Sequence, residues 1–417
     1  MEDKQYAVIV EPVSTGHEYA GAFRAEGLEP VAVMVAPDAV DAVHDTWHPE
    51  NFAAVHVLGD RGVAELAEEL RRYGPQWLVA GSEMGVELCD ALTAILCPGT
   101  GNDPASTLER RDKWHMARAL ARAGLAHLRQ RCSADRDELD AWIAEQGLSG
   151  ERFVVKPPKS GATDDVHLIR PGQDWHPVFD AILGKINYTG IRNEAVLVQE
   201  FAEGTEYLVD TYSVDGRHGL VDVCRYAKSR RDDRIGIYER VQFLPPDDPD
   251  VAEIRPYVFA VLDALGIRNG CGHSEVMLTK HGPRLMETAA RPAGGGHQMI
   301  TRMSTGDSQI ARTVAHRLRG EFKASYTLGQ HLSAVFISSP AAGIWRNGDI
   351  FDGVDALPTF VDKHFPYGTG DLVPASDDLV TYLAWVILAG PDPAQIEADY
   401  SHIKAIEGRI EIEKVRS

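Results

Sequence analysis

The sequence predicts a multidomain chain of mixed class, with an α/β domain built on a parallel sheet at the N-terminus and α+β lobes after it. Three observations predict it. Strand-like and helix-like segments alternate across residues 1–111, the pattern of a parallel sheet covered by helices. Farther on, strands follow one another through short turns, the pattern of local hairpins. Finally, 417 residues are too many for one ordinary core.

Composition narrows the function. Hydrophobic residues at 44% and charged residues at 25% are ordinary for a soluble globular protein. A net charge of −20 argues against nucleic acid as the main partner, although a local basic pocket for a nucleotide remains compatible with it. No apolar run approaches membrane-spanning length, and Met1-Glu-Asp-Lys4 lacks the pattern of a signal peptide. The five cysteines (Cys89, Cys97, Cys132, Cys224, Cys271) form no CxxC pair, so reduced, buried thiols are expected rather than a metal or redox site. The expectation is a cytoplasmic protein with small-molecule partners, no nucleic acid and no membrane.

In chain order, Tyr6–Val10 reads as a short apolar strand, followed by Ser14-Thr-Gly16 and a helix running to Glu26-Gly27. Further strands are expected at Val31–Val35, Ala54–Leu58 and Trp77–Ala80, with a helix over Val63–Arg72. Gly16 stands alone without a GxGxxG fingerprint, so it marks a tight strand-to-helix turn rather than a dinucleotide site. Asp112 to Gly124 is a well-marked helix, with Asp112 as N-cap and Gly124 as the stop. Lys113 then falls in the first turn, where the helix dipole disfavours a cation. A functional reason or mere exposure would each account for it. Asp135-Arg-Asp-Glu138 looks like a capping box before a helix reaching Gln146-Gly147.

Phe153–Lys156 is expected as a strand, Pro157–Thr163 as a loop and Val196–Phe201 as another strand. Ala202-Glu-Gly204 leads into the long strand Glu206–Val214 and its partner Gly219–Ala227. The charge run Arg230–Arg234, just before Tyr238, is either a solvated loop or a loop that folds over a substrate. A helix carrying Val258, Val261, Leu262 and Leu265 ends at Gly266 and is begun or kinked by Pro256. Pro292-Ala-Gly-Gly-Gly296 reads as an ordinary loop or as one that lets backbone approach a ligand closely. The last stretch shows strands at His331–Ser338, Trp385–Leu388 and Arg409–Val415. A helix capped by Asp392-Pro393 presents Ile396, Tyr400 and Ile403 on one face.

The chemistry gathers between His273 and Arg291, which read as two strands joined at Lys280-His281-Gly282. With the turn centred on His281, Thr279 faces Pro283, Met277 faces Leu285 and Glu275 faces Glu287. Directly opposed side chains sit about 5 Å apart, where like charges destabilise a sheet. A cation would relieve the two glutamates, and Mg²⁺ suits a pair of carboxylates completed by water and phosphate oxygens. The alternative is a surface hairpin whose glutamates face water. Arg291, four residues past Glu287, could add a fixed charge for a phosphate or carboxylate. No GxxxxGK[ST], HExxH, GxSxG or DxDxDG pattern occurs, so phosphate binding would need another device.

The order of these pieces resembles the ATP-grasp ligases. The matching residues are Asp112-Lys113 opening a helix, Lys156 before a small-residue loop, Val198-Gln-Glu-Phe-Ala-Glu-Gly-Thr-Glu206, Gly272-His-Ser-Glu275 and Glu287-Thr-Ala-Ala-Arg291. Within that superfamily the Gly-x-His-x-Glu and Glu-x-x-x-Arg pieces look most like the dipeptide-forming L-amino acid ligases and carnosine synthase relatives. The resemblance implies an ATP-grasp fold behind an N-terminal Rossmann-like domain at 1–111. A linker helix and small lobe would follow at 112–205, a large lobe at 206–329 and a C-terminal lobe at 330–417. It implies that Lys113, Lys156, Ser160 and Gly161 contact ATP, that Glu200, Phe201 and Ala202 form the adenine-reading hinge, and that Glu206 holds the ribose. It implies Mg²⁺, with Mn²⁺ as a substitute, on Glu275 and Glu287, and a transferred phosphate and acyl group on Arg291. His273, Tyr238, Gly294, Gly295 and His297 are candidates for substrate contact, and the family admits a homodimer.

Two departures stand out. Ala289 occupies the place of a common metal-binding asparagine, and Asp164-Asp165 lie in the phosphate loop, where they would repel a triphosphate unless turned away. The implied reaction is ADP-forming: a carboxylate is phosphorylated by ATP and an amine attacks the acyl phosphate, giving a dipeptide-like amide. Two other readings are a ligase for a non-amino-acid acid or amine, and an ATP-binding regulatory module with reduced catalysis. A dinucleotide-dependent oxidoreductase would lack its glycine fingerprint.

Overall fold

The computed structural model describes residues 4–231, 234–376 and 381–415, and the side chains of 42 and of 230–236 fall outside that description. The N-terminal region contains β1 (Tyr6–Val10), α1 (Glu18–Ala25), β2 (Glu29–Met34), β3 (Ala54–Val57), α2 (Val63–Leu70), β4 (Leu78–Ala80) and α3 (Val86–Leu96). Its four strands are all parallel, in the order β3-β2-β1-β4. Gly16 is required by close packing: a Cβ there would lie 2.4 Å from the backbone of Gly81, beyond the end of β4.

A second sheet of four strands, ordered β5-β8-β6-β7, is antiparallel. It contains β5 (Gln130–Ser133), β6 (Phe153–Lys156), β7 (His167–Ile169) and β8 (Val196–Glu200), together with α5 (Arg136–Glu145) and α6 (His176–Ile182). Helix α4 (Lys113–Arg122) precedes it, capped by Asp112, whose carboxylate accepts from Trp114 N and His115 N. Arg110, fully buried, anchors that entry through Asp90 (2.5 Å) and the Leu265 carbonyl (2.9 Å). The capping box at α5 is half made. Asp135 accepts from Asp137 N, but Glu138 is taken by Arg131 and Ser133 instead of returning to the cap.

The largest sheet has eight strands in the order β13-β12-β9-β10-β11-β14-β18-β16. It comprises β9 (Gly204–Val214), β10 (Arg217–Arg231), β11 (Arg234–Phe243), β12 (Gly270–Thr279), β13 (Gly282–Ala289), β14 (His331–Ile337), β16 (Phe360–His364) and β18 (Ala384–Gly390). The expected charged segment Arg230–Arg234 falls at the tip of the β10–β11 hairpin, with Asp232 and Asp233 outside the described residues. The sheet continues through residue 330 without a break, because β11 pairs with β14. Helix α7 (Pro249–Ala264) covers one face, and it starts well before Pro256, which sits inside it. Its start is set by Asp248, whose carboxylate accepts from Asp250 N. Strand periodicity divides β9: Tyr207 and Val209 enter the core beneath α7, while Leu208 joins the opposite core with Ile300.

Helices α8 (His297–Thr305) and α9 (Gln309–Arg319) follow β13, and α9 brings Ile310 and Val314 against Ala7, Ile9 and Tyr19 of the N-terminal domain. That packing docks the N-terminal sheet on the central one. The chain finishes with α10 (Pro393–Glu407), in which Ile396 and Ile403 are buried and Tyr400 partly so. A three-stranded sheet, ordered β17-β15-β19, joins Leu372–Val373, Gly343–Trp345 and Ile412–Glu413. The last strand is therefore much shorter than Arg409–Val415. No helix among the described residues is long and apolar enough to cross a membrane.

Candidate active site

The two glutamates do face each other, by a route the sequence does not show. The turn holds two residues, Lys280 and His281, so Thr279 pairs with Gly282, Leu278 with Pro283, Met277 with Arg284 and Val276 with Leu285. That register differs from the expected one, and would by itself misalign the pair. A one-residue bulge at Met286 restores it, and Glu275 comes opposite Glu287.

Burial, then the Glu287 charge and then Glu206, push the Glu275 carboxyl up to about 7. Burial would raise Glu287 as well, but the Lys113 ammonium, with Lys156 and Arg291 behind it, holds it at about 2. One carboxylate is thus charged, and the other is raised by burial first and by repulsion second. Such a donor set fits a divalent cation, which Glu275 and Glu287 would hold in place of the proton.

The lysine that opens α4 against the helix dipole now has a reason. Lys113 Nζ lies 2.7 Å from Glu287 Oε2 and donates to the Ser160 carbonyl at 2.9 Å. Lys156, 5% exposed at the end of β6, donates to Gln199 Oε1 at 3.0 Å. Gln199 donates in turn to Gln130, and Gln130 to the Lys113 carbonyl, so an amide chain ties the two lysines together. Burial and the neighbouring Lys113 charge lower Lys156 to about 8.

The loop after Lys156 is conformationally strained. Ala162, Thr163 and Asp165 all have positive φ (55°, 59° and 51°), a region that costs L-residues energy and is often retained at ligand clamps. Its acids are occupied locally. Asp164 accepts from Ser160 Oγ (2.8 Å) and Tyr188 N (2.8 Å), and Asp165 pairs with Lys185 at 2.6 Å. Gly161 keeps its backbone in the turn by accepting from Asp164 N.

Between the two antiparallel sheets runs the link from Phe201 to Glu203. The Glu200 side chain is held by Arg129 N and Nε at 2.8 and 2.6 Å, and Arg152 stacks over the Phe201 ring at 4.4 Å. Ala202 is 8% exposed. Gly204 crosses β12 so closely that a Cβ would lie 2.2 Å from the Leu278 carbonyl oxygen. Glu206 pairs with Lys228 at 2.6 Å, and the Lys228 ammonium lies 4.2 Å from the Tyr238 ring centre. Burial opposes the Lys228 charge, but Glu206 and then Tyr238 raise it overall.

The histidines turn inward. His273 Nδ1 donates to Asp210 at 2.8 Å, and His297 Nε2 to Asp222 at 3.1 Å, with Thr301 Oγ on the other Asp222 oxygen at 2.9 Å. Phe243 stacks on the His297 ring. Both rings are thereby anchors of the sheet and of α8. Gly295 and Gly296 have positive φ and lead into α8, while a Cβ on Gly294 would lie 3.6 Å from Ser14 Oγ of the N-terminal domain. Arg291 Nε donates to Glu83 Oε2 at 2.9 Å, and its Nη1 to the Pro292 carbonyl at 2.9 Å.

Sequence reasoning missed Lys228, Gln199, Gln130, Asp210 and Glu83. Glu83 carried a legible signal, since it lies just past the carboxyl end of a parallel strand, where α/β sheets present ligand-contacting residues.

An antiparallel small lobe joined to a large sheet that bears paired glutamates is the arrangement of an ATP-grasp domain, and over nearly its whole length the chain is similar to carboxylate–amine ligases, enzymes that form C–N bonds. The ATP-grasp domain model matches residues 149–300. Among relatives, dapdiamide A synthase of Enterobacter agglomerans is 28% identical, covering 98% of this chain and 97% of that protein. The fold is shared with an L-amino acid ligase from Bacillus licheniformis at a TM-score of 0.71 and 14% identity, with 100% of both chains covered. It is also shared with N5-carboxyaminoimidazole ribonucleotide synthetase from Thermotoga maritima, at 0.65 and 16% identity over 99% of this chain and 100% of that one.

Proposed function

We propose that the protein is an ADP-forming ligase that joins the carboxylate of one amino acid, or a close analogue, to the amine of a second. The observation that carries this reading is the convergence of Lys113, Lys156, Glu275, Glu287 and Arg291. A carboxylate is a poor electrophile, and ATP would convert it to an acyl phosphate with loss of ADP. The amine then attacks the acyl carbon and phosphate leaves. Lys113 and Lys156 would neutralise charge on the phosphates, with Lys156 fully effective only while protonated. Glu275 and Glu287 would hold Mg²⁺, which would supply charge neutralisation at the transferred phosphoryl group. Arg291 offers its remaining N–H groups to the phosphoryl group and to the oxyanion of the second step. The strained Ser160–Val166 loop is the element that would exclude water from the acyl phosphate.

Phosphate release over a panel of amino acid pairs, with mass spectrometry of the products, tests the reading. Release that needs two amino acids, with an amide product, supports it. Turnover only with an acid or amine of another class replaces it with a ligase of different substrate, a reading that the fold shared with the carboxyaminoimidazole synthetase keeps open.

The glutamate pair also gives a pH signature. Because Glu275 is raised to about 7, the folded protein keeps a proton that the unfolded chain loses in the ordinary carboxylate range. Stability therefore falls as pH rises through that window. A cation that replaces the proton should restore it, so Mg²⁺ is expected to raise the Tm more at pH 8 than at pH 6. A larger shift at pH 6 would contradict the assignment.

A further inference from the structure

Arg291 is held from outside its own lobe. Its Nε bonds to Glu83, which follows β4 of the N-terminal domain, and the other Glu83 oxygen accepts from Arg111. The side chains are 15%, 18% and 3% exposed for Arg291, Glu83 and Arg111, so one carboxylate is clamped between two guanidinium groups in a mostly buried place. With Nη1 on the Pro292 carbonyl, the Arg291 Nη2 edge has no hydrogen-bond partner among the described residues. Glu83 also sits at the switch point of the N-terminal sheet. There β1 is flanked by β2 on one side and β4 on the other, and α/β sheets place their ligand-facing residues at such a point.

We propose that Glu83 is the positioning residue for Arg291: the N-terminal domain fixes the guanidinium plane through Nε, so that Nη2 faces the transferred phosphate. This rests on the reading above, in which Arg291 takes that phosphate. Arg111 serves as the anchor of Glu83, since it binds the carboxylate oxygen that Arg291 does not use. Burial would raise the Glu83 carboxyl, yet Arg111 and Arg291 together lower it, so the carboxylate stays charged. A freely mobile arginine would lose rotational freedom on each binding event, and a preset one loses less.

Inorganic phosphate is the probe, titrated calorimetrically into the MgADP-loaded protein. Glu83→Gln is expected to weaken phosphate about tenfold and to leave ADP affinity unchanged. The double variant with Arg291→Lys should bind phosphate no more weakly than Arg291→Lys alone, because both changes act through one group. Glu83→Asp, which keeps the charge between the arginines but shortens its reach, serves if the Gln variant does not fold, and it too must weaken phosphate. Tighter or unchanged phosphate binding in a folded Glu83 variant, or additive losses in the double variant, would overturn the proposal. If the wild-type protein binds phosphate no better than Arg291→Lys, the role given to Arg291 itself fails, and the inference with it.

Discussion

Glu287→Gln is expected to abolish ATP-dependent turnover, by about 10³-fold or more, while the protein stays folded. Glutamine keeps the shape of the side chain, so β13 and its bulge need not move. It removes the charge that Lys113 holds at 2.7 Å and that a divalent cation would share with Glu275. Glu275 cannot compensate: losing the Glu287 charge eases its own ionisation, but it leaves one carboxylate where a cation would need two. Initial rates of phosphate release, read beside the thermal midpoint, check this. Near-normal turnover in a folded Glu287→Gln protein would remove the metal assignment.

Arg291→Lys is expected to lower kcat by about 10²–10³-fold, with little effect on the KM for ATP. The positive charge survives the change. The geometry does not, because a single ammonium cannot bond Glu83 and the Pro292 carbonyl and still present a planar pair of donors. A variant that loses only ATP affinity would place Arg291 on the nucleotide instead of the transferred group.

Much of the fold was legible wherever one rule acted alone. The apolar strands β1, β2 and β6 and the Asp112-capped helix α4 follow from periodicity and capping, and they appear close to where those rules put them. Helices α8 and α9 were hidden because their inward faces are polar. His297, Gln298, Thr301, Gln309, Arg312 and Thr313 are buried by hydrogen bonding beside Ile300, Ile310 and Val314, so polar residues break up the apolar stripe that would mark these helices. Pro256 misplaced the start of α7, because the N-cap at Asp248 outweighs one missing backbone donor. The extent of the eight-stranded sheet depends on pairings between distant strands, such as β11 with β14, which no local signal encodes.

The site divides in the same way. Glu275, Glu287 and Lys113 stood out because each is a charged residue in a place where local preference is against it, and Lys156 because it precedes a small-residue loop in the order that the resemblance picks out. The bulge at Met286 could not be read, since it depends on how β13 meets β12 beyond a turn shorter than expected. Lys228 was missed because its role depends on Glu206 on another strand, and Glu83, despite its place past the end of β4, because its partner Arg291 is remote in sequence. Asp164 and Asp165, in the loop after Lys156, looked like a conflict with phosphate binding until Ser160, Tyr188 and Lys185 were found to hold them.

The nucleotide product tests the central claim most directly. With MgATP and the amino acid pair that gives the fastest release, ADP and phosphate are expected in equal amounts with the amide. AMP and pyrophosphate in place of ADP and phosphate would contradict acyl-phosphate chemistry at the Glu275–Glu287 platform.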